Sequence, residues 1–159
     1  MTRMWFEEVV VGDKSVLGTH VFSEDEIVRF ARKYDPQPIH IDPEAAKKSL
    51  YGGIIASGWH TTAMWMQLAV KSRMNEAAQD GKMRTGVSPG FENLRWLKPV
   101  RPGTALTYTM EAVEKVDLKS RPEFGLVKSL CEARDGSGEL FMSFVAKGFV
   151  PRQPTGETQ

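Results

Sequence analysis

The run SGWHTTAMWMQLAVKSRMNEAA, Ser57 to Ala78, holds no proline, and its first half is apolar around much of the circumference of any helix it forms. Ser57 is a capping residue at its start and Gly81 a stop just beyond its end, so the sequence predicts one long helix between them. That helix is expected at the centre of the molecule, with its polar end emerging into solvent. Whatever surrounds it must cover most of its sides.

The second half of the chain supplies the cover. From Ser88 onward the runs GFENLRWLKPV, TALTYTMEAVEKVDL, EFGLVKSLCEA and ELFMSFVAKGFV are separated by turn residues. Leu106, Tyr108 and Met110 alternate with Thr107, Thr109 and Glu111, the period of a half-buried strand, and RDGSG is a hairpin turn. These runs read as an antiparallel meander. One buried helix and one long, twisted antiparallel sheet predict an α+β arrangement in which the sheet wraps the helix.

The first half leads up to that helix. Lys14 to Phe22 reads as a strand, and Ser23 with Glu26 forms a capping-box pattern for a helix over about Glu24 to Lys33, whose inner face carries Ile27, Phe30 and Ala31. Pro36 and Pro38 end it. Asp42 as N-cap and Pro43 at the first helical position then predict a short helix to about Ser49. The 159 residues are enough for a single domain with a sizeable core, placed at residues 1–150, and PRQPTGETQ, residues 151–159, reads as a flexible C-terminal tail.

Charge and composition exclude several partners. Twenty-one Lys plus Arg against 20 Asp plus Glu leave a net +1, so no bulk field draws the protein to nucleic acid or an anionic membrane, and neither is expected as a partner. The N-terminal MTRMWFEEVVVGDKS has no signal-like apolar core, and no run reaches the roughly 18 apolar residues of a membrane span. A cytoplasmic location is the expectation. Cys131, the single cysteine, sits in a strand context and reads as a buried structural thiol.

Between the two early helices lies YDPQPIHIDP, Tyr34 to Pro43, which is both stiff and ionisable. Its prolines fix φ and are expected to push Asp35 and Gln37 into extended conformations, which lowers the entropy lost on ordering them. Asp42 is fully explained as a helix cap. Asp35 and His40 have no such explanation, and a carboxylate with an imidazole can supply a base and an acid near neutral pH. Spacing does not bring them together: residues five apart face opposite sides of a strand and do not align on a polyproline helix. On physics alone, a solvent-facing Asp35 and a packed His40 stand as the plainer pair.

The residues DPQPIH (Asp35 to His40), followed by DPEAA and YGGIIASGWHTTAM and later by LRWLKPVRPGTALT, resemble the signature of the MaoC-like dehydratase family, which includes (R)-specific enoyl-CoA hydratases. The resemblance implies a hot-dog fold, usually paired as a homodimer or higher homo-oligomer, acting on an acyl-CoA substrate without a cofactor or metal. Asp35 and His40 would be the catalytic pair, holding a water for addition to an enoyl thioester. The start of the long helix would supply the oxyanion donor through Gly58 N–H, with Ser57 as either cap or polar support for Asp35. Gly58 has no side chain to block that approach. Gln37 stands where the family often has Asn, and Ser57 where many members have His.

Other residues carry less weight. His60 reads as a core histidine close enough to line the pocket with Gln37 and Trp59, and His20 carries no partner signal. Met64, Trp65 and Met66 read as core more than as an acyl pocket, and Arg95, Lys98 and Arg101 as solvated charges more than as phosphate ligands. The competing functions are a hot-dog thioesterase, a non-catalytic acyl-thioester binding module, and a metal-dependent oxygenase using His40, Asp42 and His60.

Overall fold

The computed structural model describes residues 5–80 and 87–154. Gly81, expected to stop the long helix, lies outside the described residues, as do 155–159 of the expected tail. A 3-10 turn at Phe6–Glu8 leads to β1 (Lys14–Val21), α1 (Glu24–Tyr34), α2 (Pro38–Ile41), α3 (Pro43–Lys48) and the long α4 (Gly58–Asp80). Four strands follow: β2 (Gly90–Trp96), β3 (Ala105–Asp117), β4 (Phe124–Arg134) and β5 (Leu140–Pro151). All five strands form one antiparallel sheet laid against α4, the α+β hot-dog arrangement expected from the sequence.

The strand order is β1-β3-β4-β5-β2. β3, β4 and β5 form the expected meander, and β4 and β5 are joined at RDGSG, where Asp135 Oδ1 accepts from the Ser137 and Glu139 amides. β2 does not belong to that meander. It pairs with β5 at the opposite edge from β1, a placement that strand periodicity could not reveal because alternation fixes which face a residue takes and not which strand lies beside it. The link from β2 to β3 carries buried Val100 into the core, where its carbonyl accepts from Ala56 N–H at 2.8 Å.

α4 packs on the sheet through Trp65 and Ala69, with Trp65 edge-on to Phe144 of β5. At Gly18 of β1, φ is +143° and an added Cβ would stand 3.2 Å from Leu68, so a bulge and a missing side chain let helix and strand approach closely. The expectation of a helix covered on most sides needs correction. Trp59, Met66, Val70 and Met74 form an exposed apolar stripe beside the face of α4 that packs on the sheet, with Trp59 edge-on to Trp96 of β2.

The C-terminal boundary also moves. Pro151 ends β5, Arg152 pairs with Glu7 and Asp117, and Gln153 N–H donates to Glu7, so the chain is held past residue 150 by acidic partners distant in sequence. Cys131 is fully buried, as expected, and burial pushes its thiol up to about 12.

Candidate active site

α1 stops because Pro36 follows Asp35, leaving Asp35 as its C-cap with N–H bonded to Ala31 O at 2.8 Å. Gln37 is extended as expected; Asp35, with ψ 70°, falls short of that region. Pro38 then opens the single turn α2, where it is tolerated because a first-turn amide has no helical partner. The turn curls the chain back on itself. His40 Nε2 comes to 3.4 Å from Asp35 Oδ2, a meeting that neither strand nor polyproline geometry allows and that one helical turn provides.

The His40 ring is buried, and its Nδ1 lies 2.7 Å from Ile55 O. A carbonyl only accepts, so Nδ1 carries a proton, and Nε2 is the ring nitrogen turned toward Asp35. Ile55 N–H in turn donates to Ile39 O, which ties this loop to the buried segment Ile54 to Ser57 just before α4.

Ser57 and Gln37 both reach Asp35. The fully buried Ser57 hydroxyl donates to Oδ2 at 2.6 Å, and the Gln37 side-chain amide donates to Oδ1 at 2.8 Å. Of the two roles open to Ser57, its hydroxyl takes the one toward Asp35; its carbonyl accepts from the His60 and Thr61 amides as the residue before a helix does. Burial alone would raise the Asp35 pKa. The Ser57 and Gln37 hydrogen bonds and the nearby His40 ring outweigh it and hold the carboxyl below its usual range.

The Gly58 and Trp59 amides have no acceptor among the described residues, and they stand at the positive end of α4. The missing side chain at Gly58 does not leave open space there, contrary to the expectation of an unblocked approach. The Trp96 indole lies on it: a Cβ at position 58 would stand 2.3 Å from Trp96 Cδ2. Trp96 Nε1 donates to Thr62 Oγ1 at 3.1 Å, and its ring meets Trp59 edge-on with centroids 5.1 Å apart. Sequence reasoning missed Trp96, whose neighbours LRWLKPV give no local sign of it; β2 bulges just before it, where Asn93 takes φ 57°.

Other expected residues fall elsewhere. His60 does not line the pocket: it is buried against Phe22 and Phe30 with Nε2 3.2 Å from Glu26, because its position on the first turn of α4 faces α1. His20 does have a partner, Glu26 at 2.7 Å. Asp42 caps α3, accepting from the Glu44 and Ala45 amides, so His40, Asp42 and His60 do not converge as a ligand set. Among the described residues no three His, Cys, Asp or Glu side chains are grouped to hold a metal ion. Arg101 bonds to Tyr51 O and Lys98 pairs with Glu139, so these two cations are engaged within the chain.

A single antiparallel sheet against one long helix, with a carboxylate and an imidazole at the helix head, defines a hot-dog domain with an Asp–His site. Residues 7–131 match the family described as MaoC like domain, and the chain belongs to that family. It is 31% identical over 129 residues to the uncharacterized protein YdeM of Bacillus subtilis, covering 80% of this chain and 84% of that one. The crystal structure of a MaoC-like dehydratase from Rhodospirillum rubrum superposes with a TM-score of 0.82 at 34% identity, covering 96% of this chain and 99% of that one. A mesaconyl-CoA hydratase of Haloarcula marismortui is 29% identical over 86 residues, which span 54% of this chain but 24% of that protein.

Proposed function

We propose that this protein is an (R)-specific enoyl-CoA hydratase, adding water to a trans-2-enoyl thioester and, in reverse, dehydrating the 3-hydroxyacyl thioester. The observation that carries this reading is the approach of His40 Nε2 to Asp35 Oδ2 at the head of α4, beside two amides with no acceptor among the described residues. Asp35, ionised at neutral pH, takes a proton from a water as its oxygen bonds to the β-carbon. His40 Nε2–H orients that water and delivers a proton to the α-carbon; the Asp35 proton then returns to His40 and resets the pair. Negative charge on the thioester oxygen is met by the Gly58 and Trp59 amides and the α4 dipole.

Membership of the MaoC-like family and the hydratase activity named for the Haloarcula relative support a thioester substrate. The exposed stripe of α4 and the open edge of β2 support pairing with a second copy of this chain. No helix among the described residues is long and apolar enough to cross a membrane. The test is a panel of short, branched and medium trans-2-enoyl-CoA thioesters, followed by loss of the conjugated absorbance. Free thiol release in place of that loss would make the protein a thioesterase, and binding without either change would make it a binding module.

A further inference from the structure

Away from the Asp35–His40 pair, three side chains from three elements meet on one oxygen. Glu26 of α1 places Oε1 at 2.7 Å from His20 Nε2 on β1 and at 3.2 Å from His60 Nε2 on α4. A carboxylate oxygen only accepts, so both imidazoles donate from Nε2. The His60 ring is also packed against two aromatic side chains, while its Nδ1 is buried without a hydrogen-bond partner among the described residues. It stacks on Phe30 with centroids 4.4 Å apart and an interplanar angle of 7°, meets Phe22 edge-on, and is 1% exposed. The neighbouring Thr61 carbonyl accepts from buried Tyr108 of β3 at 3.0 Å.

The sequence pattern assigned Glu26 a different task, that of closing a capping box with Ser23. Ser23 does accept from the Glu26 amide at 3.2 Å, but the Glu26 carboxylate is turned to the two histidines. A capping interaction on an exposed first turn is replaced by a bridge between helices whose residues lie 34 apart in the chain. Both helices carry the site. α1, which begins beside Glu26, ends in Asp35, and α4, which begins beside His60, presents Ser57 and Gly58.

We infer that Glu26 is a positioning residue: by bridging His60 and His20 it sets the helix that ends in Asp35 against the helix that begins at Gly58. Helices are stiff over this length, so a shift at the Glu26 end of α1 is carried to its C-cap. A sub-ångström change there alters the Asp35–Ser57 bond and the approach of His40, and misplacement on that scale is enough to slow a reaction that depends on alignment.

The inference rests on the hydratase reading for its kinetic readout and is independent of it for its spectroscopic one. With only three histidines in the chain, ring 15N spectra can report on His20, His40 and His60 individually. Glu26→Gln keeps an oxygen acceptor in place, whereas Glu26→Ala removes it. Glu26→Ala is expected to lose about tenfold or more in kcat with KM changed less than about threefold, and Glu26→Gln to recover most of that loss. His40 ring signals are expected to move in Glu26→Ala and to stay near wild type in Glu26→Gln. If Glu26→Ala does not fold, Glu26→Asp, which withdraws the carboxylate by one methylene, is expected to shift His40 and lower kcat to a smaller degree. A variant that loses thermal stability while kcat and the His40 signals stay unchanged overturns the inference. If the wild type turns over no enoyl thioester, the hydratase reading fails, and the His40 spectra alone decide: moved signals support the bridge and unmoved ones overturn it.

Discussion

The Ser57 hydroxyl donates to Asp35 Oδ2 at 2.6 Å, joining residues that lie 22 positions apart in the chain. Gln37 meets the other oxygen of the same carboxylate at 2.8 Å. These are the two positions at which the resemblance to the family signature implies a departure, and both side chains fall on Asp35. They keep the carboxylate ionised and fixed, and they lower its basicity by stabilising the charge it must give up.

Substitution of the pair should therefore separate chemistry from support. On the proposed hydratase reading, Asp35→Asn and His40→Gln are each expected to lower kcat on an enoyl thioester by about two orders of magnitude or more, since each would remove a proton-transfer group. Ser57→Ala is expected to cost about tenfold, because the carboxylate remains but loses one anchor. Initial rates with the best thioester of the panel check this; an Asp35→Asn enzyme of wild-type rate would remove Asp35 from the mechanism.

Acid dependence follows from the lowered Asp35 pKa. The acid limb of kcat/KM is expected below the ordinary aspartate range and should move upward in Ser57→Ala with Gln37→Ala, where the donors are gone. Stability has the same sign. A folded-state pKa below the unfolded one stabilises the fold at pH above the unfolded value, and that contribution disappears as pH falls through the folded value. The thermal penalty of Ser57→Ala should thus be larger near neutrality than in strong acid, and an equal penalty at both would contradict the assignment.

Trp96 and Gly58 should behave as one unit. Gly58→Ala forces the indole from its place, for which about 1–3 kcal/mol of destabilisation is expected despite the better helix propensity of alanine. Adding Trp96→Leu should recover most of it, and a double-mutant cycle by thermal or urea unfolding measures the coupling. Additive effects would show that the ring simply moves aside.

Buried Cys131, with its thiol raised to about 12, should be inert to thiol reagents in the native protein and react only as the chain unfolds. Colorimetric thiol titration with and without denaturant decides the point. Rapid labelling under native conditions would mean that the β3–β4–β5 region opens readily.

The exposed stripe on α4 gives an assembly test. If it packs against a second copy, Met66→Glu with Val70→Glu should reduce the mass in sedimentation to that of one chain while the far-ultraviolet spectrum stays unchanged. An unchanged mass would place the interface elsewhere or show that the protein is monomeric.

How much of this was legible in the sequence depended on range. Ser23 and Asp42 as caps, Pro43 at a first helical position, the RDGSG turn and the burial of Leu106 and Tyr108 were all readable, because each depends on residues a few positions apart. The meeting of Asp35 with His40 was accessible only through resemblance. Its local cause, Pro38 opening one turn of helix, is present in the sequence, but a proline after a helix serves equally as a terminator and as a first-turn residue. Glu26 with His60, Trp96 on Gly58 and Arg152 on Glu7 were not legible at all, since each joins residues at least 34 positions apart.

Trp96 occupies two places at once: it ends the strand at the open edge of the sheet, and its ring forms the wall beside the Gly58 amide. Any neighbour that adds a strand to that edge must therefore handle the same indole that shapes the helix head. If copies of the chain associate through that edge and the proposed hydratase reading holds, a change in how they pair would reach the Gly58 amide through this one ring, without a single residue of the Asp–His pair being touched.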